Sequence, residues 1–176
     1  MTPRGGRGDK RVEGNDPRPR DETVGLVESE SGGSDSSAPG AFGRAQIPHF
    51  LATRRNAVLA TWRKEGSPSV SPVWYLWDGS TFRISSPSWT AKVQNIRMNP
   101  NISLCIDDAE AGCYVSAHGV ASIIEGERVR DETWPLLLKY LHEDEAAVRW
   151  VRLTRNNTRV LILLKPDRLM WGGGFR

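Results

Sequence analysis

The sequence is poor in the residues that build metal and disulfide sites. Its 176 residues include only two cysteines, Cys105 and Cys113, which form neither a CxxC pair nor a zinc-type spacing. Both sit in apolar, strand-like stretches and read as buried, reduced thiols. The three histidines, His49, His118 and His142, are scattered, so no metal site is expected. No apolar run approaches the ~20 residues that a membrane-crossing helix needs. The N-terminus is basic, but no apolar segment follows it. Neither a secretory signal nor a membrane anchor is therefore expected, and the expected compartment is the cytoplasm. No basic stripe alternates with aromatic residues, which argues against a nucleic-acid partner. GxSxG, a Ser-His-Asp set and a carboxylate-dyad motif are missing too. Asp107 and Asp108 are adjacent, and in a strand adjacent side chains point to opposite faces. No internal repeat is visible.

What is present is an ordinary soluble composition, 38% hydrophobic and 26% charged, unevenly arranged. Residues 1–40 hold six Lys or Arg and eight Asp or Glu, a net −2, so the remainder carries +5 of the overall +3. A mildly cationic domain suits an anionic small molecule, although a solvated surface without a special partner has the same charge. The first 40 residues have no aromatic residue and few aliphatics, too little apolar surface to offset the entropy of ordering. They are expected to form a disordered tail. The composition changes at Ala41–Phe42, so a single domain is expected over 41–176.

Within that domain Ile47–Leu51 predicts a short helix, with Pro48 at a tolerated early position. Ala57–Trp62 and Ser69–Trp77 predict two strands joined through a turn over 64–68. Pro72 cannot donate to a ladder, which predicts an edge, a bulge or a point of departure. Asp78-Gly79 predicts a hairpin into a strand at Phe82–Ser85. Further strands are expected over 102–107, 113–124 with a bend at Gly119, 159–164 and 167–171. Helical composition runs through 127–142, where Pro135 should end or kink the first part. A second helical piece covers 143–153, with Asp144 as cap and an apolar stripe of Ala147, Val148 and Val151. Asn156-Asn157 predicts a turn. Strands that outnumber helices and arrive as hairpins predict an antiparallel barrel with helices at its ends.

The stretch TFRISSPSWTAKVQNIRMNP, 81–100, carries the clearest binding chemistry. Ser85, Ser86, Ser88 and Thr90 crowd a turn before a helix, and Lys92 lies one turn inside it. A helix start has unpaired N–H groups and partial positive charge, a natural seat for phosphate. The same residues would also suit an ordinary capped surface helix.

AVLATWRKEGSPSVSPVWYLWDG followed by TFRISSPSWTAKVQNIRMNPNISLCIDD resembles the pyridoxamine 5′-phosphate oxidase-like split β-barrels, and within them the flavin/deazaflavin-dependent oxidoreductases. The resemblance covers roughly residues 46–172, and SPVWY followed by AKVQNIRMNP is its most specific part. It implies a mainly β fold: a split β-barrel with helices, FMN-binding-like and of antiparallel Greek-key type. It also implies a homodimer with two cofactor sites in the subunit interface and a small-molecule substrate. In flavin-binding relatives a Ser-Arg-Lys run at the helix start meets the FMN phosphate. Here the run reads Thr90-Ala91-Lys92, without the bidentate guanidinium. The deazaflavin branch pairs Lys with Asn three residues on, as Lys92 and Asn95 do here. The strand bearing Ser71, Pro72, Val73 and Trp74 is implied to lie along the ring system. The implied cofactor is coenzyme F-420 first and FMN second, with hydride chemistry supplied by the cofactor. A non-catalytic flavin or planar-ligand binding protein is the alternative. Trp89 could line the mouth of the site, Tyr114 could reach a partner's site, and seven tryptophans suit a flat ligand or an interface. Pyridoxamine phosphate oxidases proper have a longer C-terminal arm than Trp171–Arg176 provides, so that activity is not expected.

Overall fold

Alternation in the strands decides which residues face the barrel interior. A computed structural model describes residues 25–28, 42–53, 55–155 and 158–173. Nine strands and four α-helices are found among them: β1 (Gly25–Glu28), α1 (Ile47–Ala52), β2 (Ala57–Trp62), β3 (Pro68–Val73), β4 (Leu76–Trp77), β5 (Phe82–Pro87), α2 (Ala91–Met98), β6 (Asn101–Asp108), β7 (Cys113–Ile124), α3 (Arg128–Tyr140), α4 (Glu143–Thr154), β8 (Arg159–Leu164) and β9 (Arg168–Gly173). All the pairings are antiparallel. They run β3-β2-β6-β7-β8-β5-β4, with β9 joining β7 to β1. The sheet curls around Leu59, Ile84, Leu104, Ile106, Val115, Ile162 and Leu164, all essentially without solvent contact. This is the antiparallel barrel that the hairpin pattern predicts, in the split form that the resemblance implies.

Two devices make one sheet into a barrel. β7 pairs with β9 over Cys113–His118 and with β8 over Ala121–Ile124, changing partner at Gly119. A Cβ on Gly119 would lie 3.0 Å from the Lys165 carbonyl and 3.1 Å from the Asp167 nitrogen, so the point where β7 changes partner has room for little more than glycine. On the other side the chain leaves β3 at Val73 and enters β4 at Leu76. Pro72 thus sits on an edge strand just before the departure, where its missing N–H costs little.

That departure is pinned from several directions. Tyr75 is fully buried, and its hydroxyl donates to the Leu51 carbonyl at 3.1 Å. The Lys139 ammonium donates to the same carbonyl at 2.8 Å and lies 3.5 Å from the Tyr75 ring centroid. The Tyr75 N–H donates to the Tyr140 hydroxyl at 3.2 Å, which itself donates to the Arg55 carbonyl at 2.8 Å. Arg55 in turn is ion-paired with Asp108. The crossover, the end of α1 and the end of α3 are thereby one unit. Helix α2 is attached separately: buried Asn95 donates to the Thr61 hydroxyl of β2 at 3.0 Å, beside buried Val93 and Ile96.

Some local expectations need correction. Gly25–Glu28 lies in the stretch expected to be disordered, yet it pairs with Arg168–Trp171. Backbone pairing with an open strand edge supplies order that the composition does not announce; the rest of 1–40 lies outside the described residues. Helix α3 runs through Pro135 from Arg128 to Tyr140. Its buried Val129, Leu136 and Leu137 lie on both sides of the proline, so packing outweighs the lost hydrogen bond. Helix α4 starts after His142 rather than at Asp144, and the Glu145 carboxylate accepts from the His142 N–H at 3.3 Å. The stripe of Ala147, Val148 and Val151 faces outward, with Val151 65% exposed, because the helix buries Ala146 instead. The Asn156-Asn157 turn lies outside the described residues. No helix among the described residues is long and apolar enough to cross a membrane.

Two stability measurements follow. Asn95→Ala removes a buried donor and leaves the Thr61 hydroxyl short of a partner, so urea unfolding should show a loss of about 1–3 kcal/mol. Burial, with Arg55 nearby, pushes the Lys139 pKa down to about 8. Between that value and its ordinary 10.5 the unfolded chain binds more protons than the folded one, so stability rises with pH. From about pH 10 the tyrosines oppose this, because burial pushes Tyr140 up to about 12 and raises Tyr75 as well. Lys139→Met should therefore flatten the rise between pH 8 and 10 in urea titrations. An unaltered slope would mean that another group carries it.

Candidate functional site

The departure of the chain from β3 opens a cleft of about 360 Å³. One wall is Pro72, Val73 and Trp74, with Asn56 alongside. A second is the end of β5, Ser85, Ser86 and Pro87, with Lys92 of α2. Thr133, Leu136 and Leu137 of α3 form the floor, and Arg149 and Leu153 of α4 with Arg159 of β8 close the remaining side. The lining thus combines a flat aromatic, aliphatic side chains, hydroxyls and three cations.

β5 presents a different chemistry on each side. Ser86 is buried and faces the start of α2, its hydroxyl 3.0 Å from that of Thr90. Thr90 stands at the N-cap position, but its hydroxyl donates to the Pro87 carbonyl at 2.9 Å. No side chain caps the first turn of α2, so its leading N–H groups are open to an anion. Lys92 is half-buried there and makes no hydrogen bond or ion pair to the described residues. On the opposite side of the strand, Ser85 accepts from Thr133 at 3.1 Å and from the Arg159 Nε at 2.9 Å. Burial, then the proximity of Arg149, lowers the Arg159 pKa to about 10, still well above neutrality. Trp74 stacks against Tyr140 at 4.6 Å, and the Arg149 guanidinium lies 5.6 Å from the Trp74 centroid.

Of the residues expected at the site, Pro72, Val73, Trp74, Ser85, Ser86 and Lys92 meet in this cleft. Ser71, Ser88, Thr90 and Asn95 are not part of its lining. Ser71 stands opposite Leu59 in the β2–β3 ladder. Ser88 is engaged through its backbone, its N–H with Thr158 at 2.6 Å and its carbonyl with Gln94 at 2.8 Å. Asn95 points to β2 because the helical offset from Lys92 carries it to the packed side of α2. Trp89 is 71% exposed at the helix start. Tyr114 lies against Gly172 of β9, where any Cβ would sit 2.8 Å from its ring.

The sequence reading missed Thr133, Arg149 and Arg159. Arg159 lies 74 residues from Ser85 and opens a strand that looks purely hydrophobic. Its only local signal is the period of two that sets it on the same side as Leu161 and Leu163. Arg149 sits on an exposed helix face and resembles any solvated charge.

The family model for pyridoxamine 5′-phosphate oxidase matches residues 44–169. Solved structures with the same fold include an F-420 reductase, 24% identical with a TM-score of 0.55 over 69% of this chain and 93% of that one. A conserved hypothetical protein from Mycobacterium tuberculosis is 24% identical, with a TM-score of 0.64 over 74% and 85% of the two chains. A FAD-binding protein from Mesorhizobium loti is 18% identical, with a TM-score of 0.57 over 76% and 97%. A comparison with curated proteins gives no match. The structural likenesses establish the fold, and the family model spans most of the globular part; the chain belongs to the pyridoxamine 5′-phosphate oxidase family.

Proposed function

We propose that this protein is an oxidoreductase that uses coenzyme F-420 for hydride transfer to a small conjugated substrate. The observation that carries the reading is Lys92: a half-buried cation without a partner among the described residues, beside the open start of α2 and in one cleft with Pro72–Trp74. A cation, open N–H groups and the Ser86 hydroxyl fit a cofactor phosphate, while Val73, Leu136 and Leu137 fit an apolar ring system. When bound, the deazaflavin would supply the hydride. The chain's part is to hold the phosphate through Lys92 and Ser86 and to exclude water with the α3 leucines. FMN is the second reading, supported by the same phosphate features. Position 91 is Ala, so a guanidinium is missing from the helix start, and the Arg159 guanidinium is held on the Ser85 hydroxyl.

A homodimer is part of the proposal. Val58, Trp62 and Val70 lie on the outward side of β2 and β3, with Val70 67% exposed, and paired Pro72 lies on the same side while lining the cleft. A second copy covering that apolar surface would close the cleft at its Pro72 edge. Sedimentation in the presence of cofactor should give a dimer mass; a monomer would reject the interface arrangement.

Retention of F-420 but not FMN after desalting supports the first reading, and the reverse result overturns it. Oxidation of reduced F-420 when candidate acceptors are added distinguishes a catalyst from a carrier. Lys92→Ala should weaken F-420 binding by about 1.5–3 kcal/mol, roughly 10- to 150-fold in Kd, with the unfolding midpoint retained. Unchanged affinity would remove Lys92 from the site.

A further inference from the structure

Lys92 is one of three cations in the cleft. The other two are guanidiniums from different elements, Arg149 of α4 and Arg159 of β8. Neither has an ion pair among the described residues. Glu145, one helical turn before Arg149, directs its carboxylate to the His142 N–H. Arg159 is half-buried, and its Nε is fixed on the Ser85 hydroxyl. That hydroxyl also accepts from Thr133, so both hydrogen bonds point in and its own proton remains to be donated. A half-buried guanidinium with a second guanidinium beside it is an arrangement that an anion relieves. Planar guanidinium forks match carboxylate and phosphate oxygens in two-point contacts.

We infer that Arg149, Arg159 and Ser85 form a second oxyanion subsite, on the opposite side of β5 from Lys92, that receives a carboxylate or phosphate group. Adjacent Ser85 and Ser86 project to opposite sides of one strand: Ser85 holds Arg159, while Ser86 meets Thr90, two residues before Lys92. The ligand set of this cleft therefore carries at least two anionic groups. The subsite stands whether or not the cofactor reading holds.

The test is titration of the full chain with inorganic phosphate, without cofactor, by calorimetry. Two phosphates should bind per chain. Arg159→Gln or Arg149→Gln should each abolish one, Lys92→Gln should abolish the other, and Arg159→Lys should retain part of the affinity. Arg149 lies on the exposed face of α4, so its variant reports binding without disturbing the core. A stoichiometry unchanged in both arginine variants, or binding that depends on Lys92 alone, or none at all, would overturn the subsite. Repeating the titration with saturating FMN and with F-420, whose tail carries further anionic groups, identifies the source of the oxyanion. Loss of the second phosphate with F-420 alone supports the subsite and assigns it to the cofactor tail. Its persistence with both supports the subsite and assigns it to a separate anionic substrate.

Discussion

The burial of Tyr75 at the crossover from β3 to β4 is the constraint on which the remaining architecture depends. A strand that leaves its neighbour abandons backbone hydrogen bonds, and buried amides do not tolerate that loss. Here the Tyr140 hydroxyl takes the Tyr75 N–H, while the Tyr75 hydroxyl reaches back to Leu51. The replacement bonds come from helices α1 and α3, so the two ends of the barrel wall are set by helix packing as well as by ladders. The position of Pro72–Trp74 in the cleft follows directly, because these residues immediately precede the pinned tyrosine.

The charge of the cleft has an equally structural origin. Several arginines elsewhere are matched with acids: Arg55 with Asp108, Arg83 with Asp78 and Glu132, and Arg97 with Glu125. Lys92, Arg149 and Arg159 converge where β5 ends, without an acid in ion-pair reach among the described residues. A domain whose net charge is modest can thus focus a positive field in one place. Among the described residues no acid lines the cleft, and a low-dielectric floor of Leu136 and Leu137 keeps the field there from being screened.

Much of this was legible from the residues. Hairpin signals such as Asp78-Gly79 and the period-two runs act locally, and they located β2, β5, β6, β7 and β8 closely. That Lys92 and Ser86 would lie close together was readable because a helix start is a local feature, encoded within a few consecutive residues. The place of Arg159 in the cleft was not, since it arises only from a ladder that sets Pro87 against it. Asn95 shows the opposite limit: its spacing from Lys92 permitted a shared face, but only tertiary packing decides which side of an eight-residue helix meets the barrel. Pro135 and the stripe of α4 depended likewise on neighbours that a linear reading does not supply.

The exchange of partners along β7 has a consequence for how this chain can diverge. Twelve consecutive residues serve three neighbours, β6, β9 and β8, and the interior positions Val115, Ala117 and Ala121 must keep their parity on either side of Gly119. A single inserted or deleted residue in that strand would turn one half of it inside out relative to the other. The Ala109–Gly112 turn has no such obligation, and its residues are exposed or half-exposed. Length variation among descendants of this sequence should therefore accumulate in that turn, while β7 drifts only by substitution.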